Sequence, residues 1–249
     1  MYEKGPDISY ANCGLPYYLS GVIEKREDLL ITSDEFFRRR FQVDARTRSE
    51  VIEIDRNSKK VIVKDLNTGQ MEEESYDRLI LAPGSHPIVP PVPGMDLPFV
   101  FSLKTLEDTD RIFNYLQNKN PRRAVVVGGG LIGIEAVENL ALKGLKTTVV
   151  ELAPQVLTFL DWEMAEMVRW HMHQKGINLC LSEGLQSVEE QNGQGLVRTD
   201  KGGEIPADLV LVAIGVRPNV DLALNADLEL GITGGIKVNE FMQTSDPDI

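Results

Sequence analysis

The stretch "RRAVVVGGGLIGIEAVENLALKGLKTTVVEL" (residues 122–152) decides the fold. An apolar run from Ala124 to Val127 reads as a buried strand, and a glycine-rich turn follows it at once. A helical segment comes next, and "KTTVVE" then reads as a second strand. A strand, a glycine loop, a helix and a strand within about 30 residues are typical of an α/β protein with a parallel sheet.

Three glycines in this stretch, Gly128, Gly130 and Gly133, have the spacing G-x-G-x-x-G. The first permits a tight turn, the second lets a pyrophosphate approach backbone N–H groups, and the third lets helix and strand pack closely. Glu151 ends the next strand, where a carboxylate can accept a hydrogen bond from a ribose 2′-OH. Because residues 152–154 include no arginine to pair with a 2′-phosphate, we predict NADH rather than NADPH. The alternative is a glycine-rich turn without a ligand.

The charge and composition exclude several classes of protein. The net charge of −12 argues against nucleic acid or an anionic membrane as a bulk partner. No run of about 18 apolar residues indicates a membrane span, and the first ten residues do not resemble a secretion signal. Two cysteines, Cys13 and Cys180, provide neither a disulfide framework nor a zinc site, so we expect no metal and a reducing, cytoplasmic setting.

The segments around the glycine loop predict further elements. Helices are expected over residues 34–42, with three phenylalanines facing inward, over 102–119, capped by Ser102 or Thr105, and over 161–176. Residues 50–84 alternate as an antiparallel meander that closes on a strand at 78–82. The proline-rich residues 86–98 are the best candidate for a linker.

Cys13 lies in a turn, "SYANCGLPYYLSG" (residues 9–21), with a helix expected to begin at about Leu15. A lone cysteine is more often a small buried hydrophobe than a nucleophile. Cys180 fits that description. For Cys13 the turn leaves both interpretations open, a buried spacer or a working thiol.

Four segments occur in a characteristic order: "ISYANCGLPYYLSG", "YDRLILAPGS", "VVVGGGLIGIE" and "LVLVAIGVRPN". Together they resemble the FAD-dependent pyridine nucleotide-disulfide oxidoreductases, and within them the single-cysteine branch. That branch includes coenzyme A-disulfide reductases, NADH-dependent persulfide reductases and NADH oxidases or peroxidases. The resemblance implies a Rossmann-like NAD(P)-binding domain inserted in an FAD-binding domain of the glutathione-reductase type. The implied boundaries are 1–102 for a partial FAD-binding domain, 103–226 for the NAD(H)-binding domain and 227–249 for a return to the former.

The resemblance also assigns roles to residues. Cys13 matches the redox cysteine, Ser9 and Asn12 match positions beside it that contact substrate or flavin, and Arg40 matches a basic contact for coenzyme A. Arg40 and the two arginines before it read equally well as a solvated helix face. The implied cofactor contacts are Glu3, Ala82, Pro83 and Gly84 for FAD, and Gly128, Gly130, Ile132, Gly133, Glu135, Glu151 and Gly215 for NADH or its junction with the flavin.

The implied activity passes electrons from NADH through FAD to Cys13, which reduces a small thiol disulfide or persulfide such as coenzyme A disulfide. One alternative is an NADH oxidase or peroxidase that uses a cysteine sulfenate. Relatives begin with their own FAD phosphate loop and end with a dimerisation domain, so we expect an internal piece of a longer, homodimeric enzyme. A second alternative is therefore an NADH-binding fragment without catalysis. We expect no nucleic-acid and no membrane partner.

Overall fold

The structure is a computed structural model that describes residues 1–191 and 193–249. The helices are α1 (Leu15–Ser20), α2 (Asp34–Phe41), α3 (Leu106–Lys119), α4 (Leu131–Leu142), α5 (Trp162–Gln174) and α6 (Asp221–Asn225). The strands are β1 (Ser49–Asp55), β2 (Lys60–Asp65), β3 (Met71–Ser75), β4 (Ser85–Pro87), β5 (Val100–Ser102), β6 (Arg123–Val127), β7 (Lys146–Glu151), β8 (Asn178–Leu181), β9 (Leu185–Gln191), β10 (Gln194–Thr199), β11 (Glu204–Ala207), β12 (Leu209–Val212) and β13 (Val216–Pro218).

The chain forms two compact units, each built from separate stretches of sequence. The first unit comprises Met1–Tyr10, Leu30–His86 and Arg217–Ile249, and the second comprises Ala11–Leu29 and Pro87–Val216. The segment that carries Cys13 therefore belongs to the same unit as the glycine loop. The division by cofactor at residues 102 and 226 stays a prediction, because compactness does not identify a ligand.

The second unit has the predicted parallel sheet at its centre. Its strands lie in the order β5-β12-β6-β7-β8, and every neighbouring pair is parallel. Valines of β6, β7 and β12 form its core together with Phe99 and residues of the antiparallel sheet β11-β10-β9. The α/β fold class is confirmed. Since all five strands run the same way, every strand-to-loop junction at their carboxyl ends lies at one edge.

The first unit contains the predicted antiparallel meander, with the order β1-β2-β3. Its core joins Ile54, Val61 and Val63 of the meander to residues of the C-terminal stretch, including Leu228 and Ile249. The strand predicted at 78–82 is wrong, since these residues are not in a strand and the Ile80 side chain is 90% exposed.

Three local predictions have mixed outcomes. Thr105, and not Ser102, caps α3, and it forms a capping box with Asp108. The helix at 34–42 is present as α2, but Phe36 and Phe41 do not face inward, since each is 54% exposed. The linker was predicted at residues 86–98, but all of these except His86 belong to the second unit, where a Cβ on Gly94 would lie 1.9 Å from the Val188 carbonyl oxygen.

Candidate functional site

The glycine loop lies at the carboxyl edge of the parallel sheet, between β6 and α4. Gly128 has φ +111°, a left-handed conformation that favours glycine, and its N–H donates to the Val150 carbonyl at 2.8 Å. A Cβ at this position would lie 2.5 Å from the Ala213 carbonyl oxygen. Gly128 therefore packs against the ends of both neighbouring strands, β7 and β12.

The other two glycines of the motif have different surroundings. Gly133 is buried in the first turn of α4, where a Cβ would lie 2.0 Å from the Gly128 carbonyl oxygen. Gly130 precedes the first helical residue, and a Cβ there would meet no atom within 4 Å. The first N–H groups of a helix lack intrahelical acceptors, and the helix dipole favours an anion beside them. The open space at Gly130 therefore fits a dinucleotide pyrophosphate.

Glu151, the predicted ribose acceptor, lies beside this loop at the end of β7. Its Oε2 accepts from the Gly129 N–H at 2.5 Å, and its Oε1 accepts from the Ala153 N–H at 2.7 Å. A carboxylate has about four lone-pair sites, so both oxygens can still accept a ribose hydroxyl hydrogen. The bonds to Gly129 and Ala153 fix the carboxylate at the loop.

The remaining predicted NADH contacts also belong to the second unit. Ile132 is exposed in the first turn of α4, and Glu135 is half-buried one turn later. Gly215 follows β12, has φ +116°, and accepts a hydrogen bond from the Ile88 N–H at 2.9 Å. Each residue lies at or near the carboxyl edge of the sheet, and its contact with a nucleotide stays a prediction.

Cys13 is a free, exposed thiol in a single 3-10 turn, Asn12–Gly14, that leads directly into α1 at Leu15. The exposed Asn12 precedes it. Gly14 behind it is buried, and a Cβ there would lie 2.5 Å from a methyl carbon of Leu29. The turn therefore packs closely on one side and presents the sulfur on the other, which excludes the buried-spacer interpretation.

The short helix α1 is fixed to α3 and α4 by three contacts that the sequence did not reveal. Ser20 Oγ donates to Asn139 Oδ1 at 2.6 Å, and the Asn139 side chain is 0% exposed. Tyr18 stacks on Phe113 with ring centroids 4.8 Å apart. The Arg26 guanidinium, just beyond α1, pairs with Asp110 at 3.0 Å. The thiol-bearing segment is thus fastened to α4, the helix that begins at the glycine loop.

Cys180 contrasts with Cys13. It is half-buried against the core of the second unit, and burial, followed by the nearby Glu183, raises the pKa of its thiol. A raised thiol pKa and limited access both lower reactivity. Cys180 therefore serves as an internal comparison for any chemistry at Cys13.

The predicted FAD contacts belong to the first unit. Glu3 is half-buried, and its Oε1 accepts from the Gly5 N–H at 2.6 Å. Ala82, Pro83 and Gly84 form an exposed turn in which Gly84 has φ +72°, and a Cβ at Gly84 would meet no atom within 4 Å. This open turn fits close approach of a flat ligand, and the FAD contacts stay predictions.

Asn219 holds the turn before β4, and sequence reasoning did not single it out. Its Nδ2 donates to the Pro83 carbonyl at 2.8 Å, its backbone N–H donates to the Gly84 carbonyl at 3.0 Å, and its Oδ1 lies 2.7 Å from His86 Nδ1. The sequence could have indicated this role, because Asn219 is the last residue of "LVLVAIGVRPN", one of the four characteristic segments.

Arg40 lies on the first unit, beside a cleft of about 450 Å³ that is also lined by Arg39 and Phe36. Arg38 pairs with Asp44 at 3.0 Å, and Arg39 lies 3.7 Å from Glu35. Among the described residues Arg40 has no ion-pair partner, and its guanidinium carbon lies 5.7 Å from the centroid of the Phe41 ring. Its charge is therefore available to an anion.

Ser9, predicted to contact substrate or flavin, is half-buried in the same unit, and its backbone carbonyl accepts a hydrogen bond from the Ile31 N–H.

Comparison with known proteins places this geometry in a family. The sequence profile described as pyridine nucleotide-disulphide oxidoreductase matches residues 1–249. An NADH oxidase of Methanocaldococcus jannaschii is 38% identical over 250 residues, which is 100% of this chain and 55% of the relative.

In the described residues, 1–191 and 193–249, no helix combines the length and the apolar character that crossing a bilayer requires.

Two solved structures are also similar. Reduced CoADR-RHD of Bacillus anthracis superposes with a TM-score of 0.96 at 46% identity, covering 100% of this chain and 44% of that one. An NAD-dependent persulfide reductase from A. fulgidus gives 0.94 at 34% identity, covering 99% and 46%. The chain spans about half the length of the curated relatives it matches, which include coenzyme A disulfide reductases. The chain belongs to the pyridine nucleotide-disulphide oxidoreductase family, whose members bind FAD and NAD(H).

Proposed function

We propose that this chain carries the nucleotide loop and the redox thiol of an NADH-dependent flavoprotein that reduces a disulfide or persulfide, such as coenzyme A disulfide. One observation carries the proposal. The exposed Cys13 begins a segment that Ser20 and Asn139 fasten to the helix opening at the glycine loop. A similar persulfide reductase supports a sulfur substrate.

In the proposed reaction the Cys13 thiolate attacks one sulfur of the substrate disulfide. The substrate S–S bond breaks, one thiolate leaves, and Cys13 holds the other half as a mixed disulfide. The glycine loop with Glu151 would hold NADH and the turn at residues 82–84 would contact FAD; when bound, the two cofactors would supply the two electrons needed for reduction. With these two electrons and one proton, the mixed disulfide would return to the Cys13 thiolate and a second free thiol. Exposure of Cys13 gives the substrate access, and the packed turn behind it keeps the sulfur in place.

Recognition of coenzyme A is assigned to Arg40. Coenzyme A carries a pyrophosphate and a 3′-phosphate, and arginine binds phosphate through charge-assisted, often bidentate hydrogen bonds. Arg38 and Arg39 lie beside carboxylates, whereas Arg40 has no ion-pair partner in the described residues and lies over the Phe41 ring. We therefore expect Arg40 to raise affinity for coenzyme A disulfide without taking part in the chemistry.

The first step can be tested on this chain without cofactors. Incubation with coenzyme A disulfide should add the mass of a single coenzyme A at Cys13, as read by mass spectrometry. Cys13→Ser should abolish the adduct, and Cys180→Ser should retain it. Arg40→Gln should slow adduct formation with coenzyme A disulfide and leave the reaction with cystine unchanged. An adduct that persists in Cys13→Ser would exclude the proposed nucleophile.

The second candidate is an NADH oxidase or peroxidase, which the M. jannaschii relative favours by its name. Here Cys13 would be oxidised by peroxide to a sulfenic acid, releasing water, and then reduced. The two candidates can be separated by supplying NADH and FAD and measuring which substrate is consumed. Consumption of peroxide or oxygen supports the oxidase or peroxidase, and consumption of coenzyme A disulfide supports the disulfide reductase. A visible flavin spectrum that NADH bleaches would also exclude a third, an NADH-binding fragment without catalysis.

A further inference from the structure

A basic cleft lies at the amino edge of the parallel sheet, opposite the edge that carries the glycine loop. It has a volume of about 630 Å³, within the range of small-molecule sites. Its charged and polar lining consists chiefly of Tyr115, Lys119, Arg122, Arg123, Lys146 and Asp208. We call it the amino-edge cleft. Strand β6 separates it from the glycine loop by about 15 Å, at roughly 3.3 Å per residue, so the two are separate sites.

The charge of the amino-edge cleft is opposite to that of the protein. The chain carries 38 acidic and 26 basic residues, yet four cationic side chains meet one carboxylate here. Asp208 is fully engaged, because it accepts from the Arg123 guanidinium at 2.5 Å and from the backbone N–H groups of Arg122 and Arg123 at 2.9 Å. Arg123 therefore pairs with the one carboxylate of the lining, and the other three charged residues of the lining are cationic.

Those three cations are Lys119, Arg122 and Lys146. Within residues 1–191 and 193–249 none of their side chains has an ion-pair partner. They come from the end of α3, the loop before β6 and the start of β7. All three side chains are exposed, so water and salt screen their mutual repulsion, and an anion between them would lower it further.

The backbone that carries these cations is held in place before any ligand arrives. Arg122 donates its N–H to Asp208, and its carbonyl accepts from the Lys146 N–H at 2.8 Å. Asn120 has φ +46° and ends α3, and the ring of Pro121 fixes the next φ. A pre-formed site loses less conformational entropy on binding than a mobile one.

We propose that the amino-edge cleft binds a small polyphosphate anion. A single carboxylate or monovalent ion would engage one cation, whereas a pyrophosphate group offers enough oxygen atoms to engage a guanidinium and two ammonium groups together. Free inorganic phosphates and the phosphates of a nucleotide share this chemistry, and the experiment separates them.

The test is calorimetric titration of the chain with inorganic pyrophosphate at constant ionic strength, with and without saturating NADH. Pyrophosphate in the glycine loop would compete with NADH, whereas binding in the amino-edge cleft would not. Arg122→Gln and Lys146→Gln should each weaken binding about fivefold, the loss expected for one exposed charge-assisted contact. Tighter binding of ADP than of pyrophosphate would assign the site to a nucleotide, and equal binding would assign it to the phosphates alone.

Matched controls are Lys143→Gln and Lys175→Gln, which remove exposed lysines of the same unit outside the cleft. Both should bind pyrophosphate as the unmodified chain does. The Arg122 and Lys146 side chains form no hydrogen bond or ion pair with the described residues, so we expect neither cleft variant to be destabilised. Thermal unfolding of both variants checks this. The proposal is overturned by absence of saturable binding, by displacement with NADH, or by equal weakening in the control variants.

Discussion

Gly133→Ala and Gly130→Ala add the same methyl group to the same loop, with opposite expected consequences. At Gly133 the new Cβ would lie 2.0 Å from the Gly128 carbonyl oxygen, so α4 must move away from β6 by more than 1 Å to reach ordinary contact distance. At Gly130 it would meet no atom within 4 Å. The first change should therefore damage folding and the second should damage nucleotide binding.

The magnitudes follow from these surroundings. Forcing a methyl group into a packed site costs about 1–3 kcal/mol, and a chain of this size loses about 2–4 °C in Tm per kcal/mol, so Gly133→Ala should lower Tm by about 2–12 °C. Gly130 has φ −78° and ψ −176°, which alanine adopts freely, so only the weaker capping by alanine acts, at a cost of about 0.5 kcal/mol. A methyl group in the space for the pyrophosphate should weaken NADH binding at least about tenfold.

The assays are thermal unfolding followed by far-UV circular dichroism and titration of NADH fluorescence. Gly130→Ala should unfold within about 2 °C of the unmodified chain and bind NADH poorly. Gly133→Ala should unfold early. If Gly130→Ala binds NADH with unchanged Kd, the role proposed for Gly130 beside the pyrophosphate is wrong. If Gly133→Ala is fully stable, the argument from close packing of α4 on β6 fails.

Three further predictions concern single contacts. Ser20→Ala should lower the free energy of unfolding by about 1–2 kcal/mol in urea unfolding, because the buried Asn139 Oδ1 loses its hydrogen-bond donor. Adding Asn139→Leu to Ser20→Ala should recover part of the lost stability, since the unpaired polar group is then removed. The hydrogen bond from Arg123 holds the pKa of Asp208 below its usual 3.8, so its stabilising effect is present above that pH and is lost as pH falls through the lower folded pKa. Asp208→Asn should therefore destabilise by about 1–2 kcal/mol at pH 7 in urea unfolding, with a difference that shrinks below about pH 4. Glu151→Ser combined with Leu152→Arg should shift binding from NADH towards NADPH in fluorescence titrations, and an unchanged ratio would contradict the role given to Glu151.

The sequence predicted the parts of the site that depend on neighbours along the chain. As the motif required, Gly128 and Gly130 lie between a buried strand and a helix, and Gly133 lies in the first turn of that helix. Thr105 was one of two candidates for the cap of α3, and a capping box is formed by residues three apart. Such signals are readable because their energetics are local.

The strand predicted at 78–82 and the inward phenylalanines of α2 depended on partners that no local pattern supplies. A strand needs another strand to satisfy its backbone, and among the described residues none pairs with 78–82, so Ile80 stays exposed. Helical periodicity put Phe36 and Phe41 on one face of α2, and their rings do contact each other. Both side chains are nevertheless exposed, because burial also needs another element for that face to pack against.

By itself the sequence predicted the α/β class, the glycine loop and the family, because each is carried by short motifs whose residues are neighbours in the chain. Only the tertiary structure placed Cys13 in the same compact unit as that loop, through Ser20 and Asn139, which lie 119 residues apart. It likewise assembled the amino-edge cleft, where Arg123 and Asp208 lie 85 residues apart. Contacts at such separations follow from how strands and helices pack, and packing depends on the whole set of side chains at once.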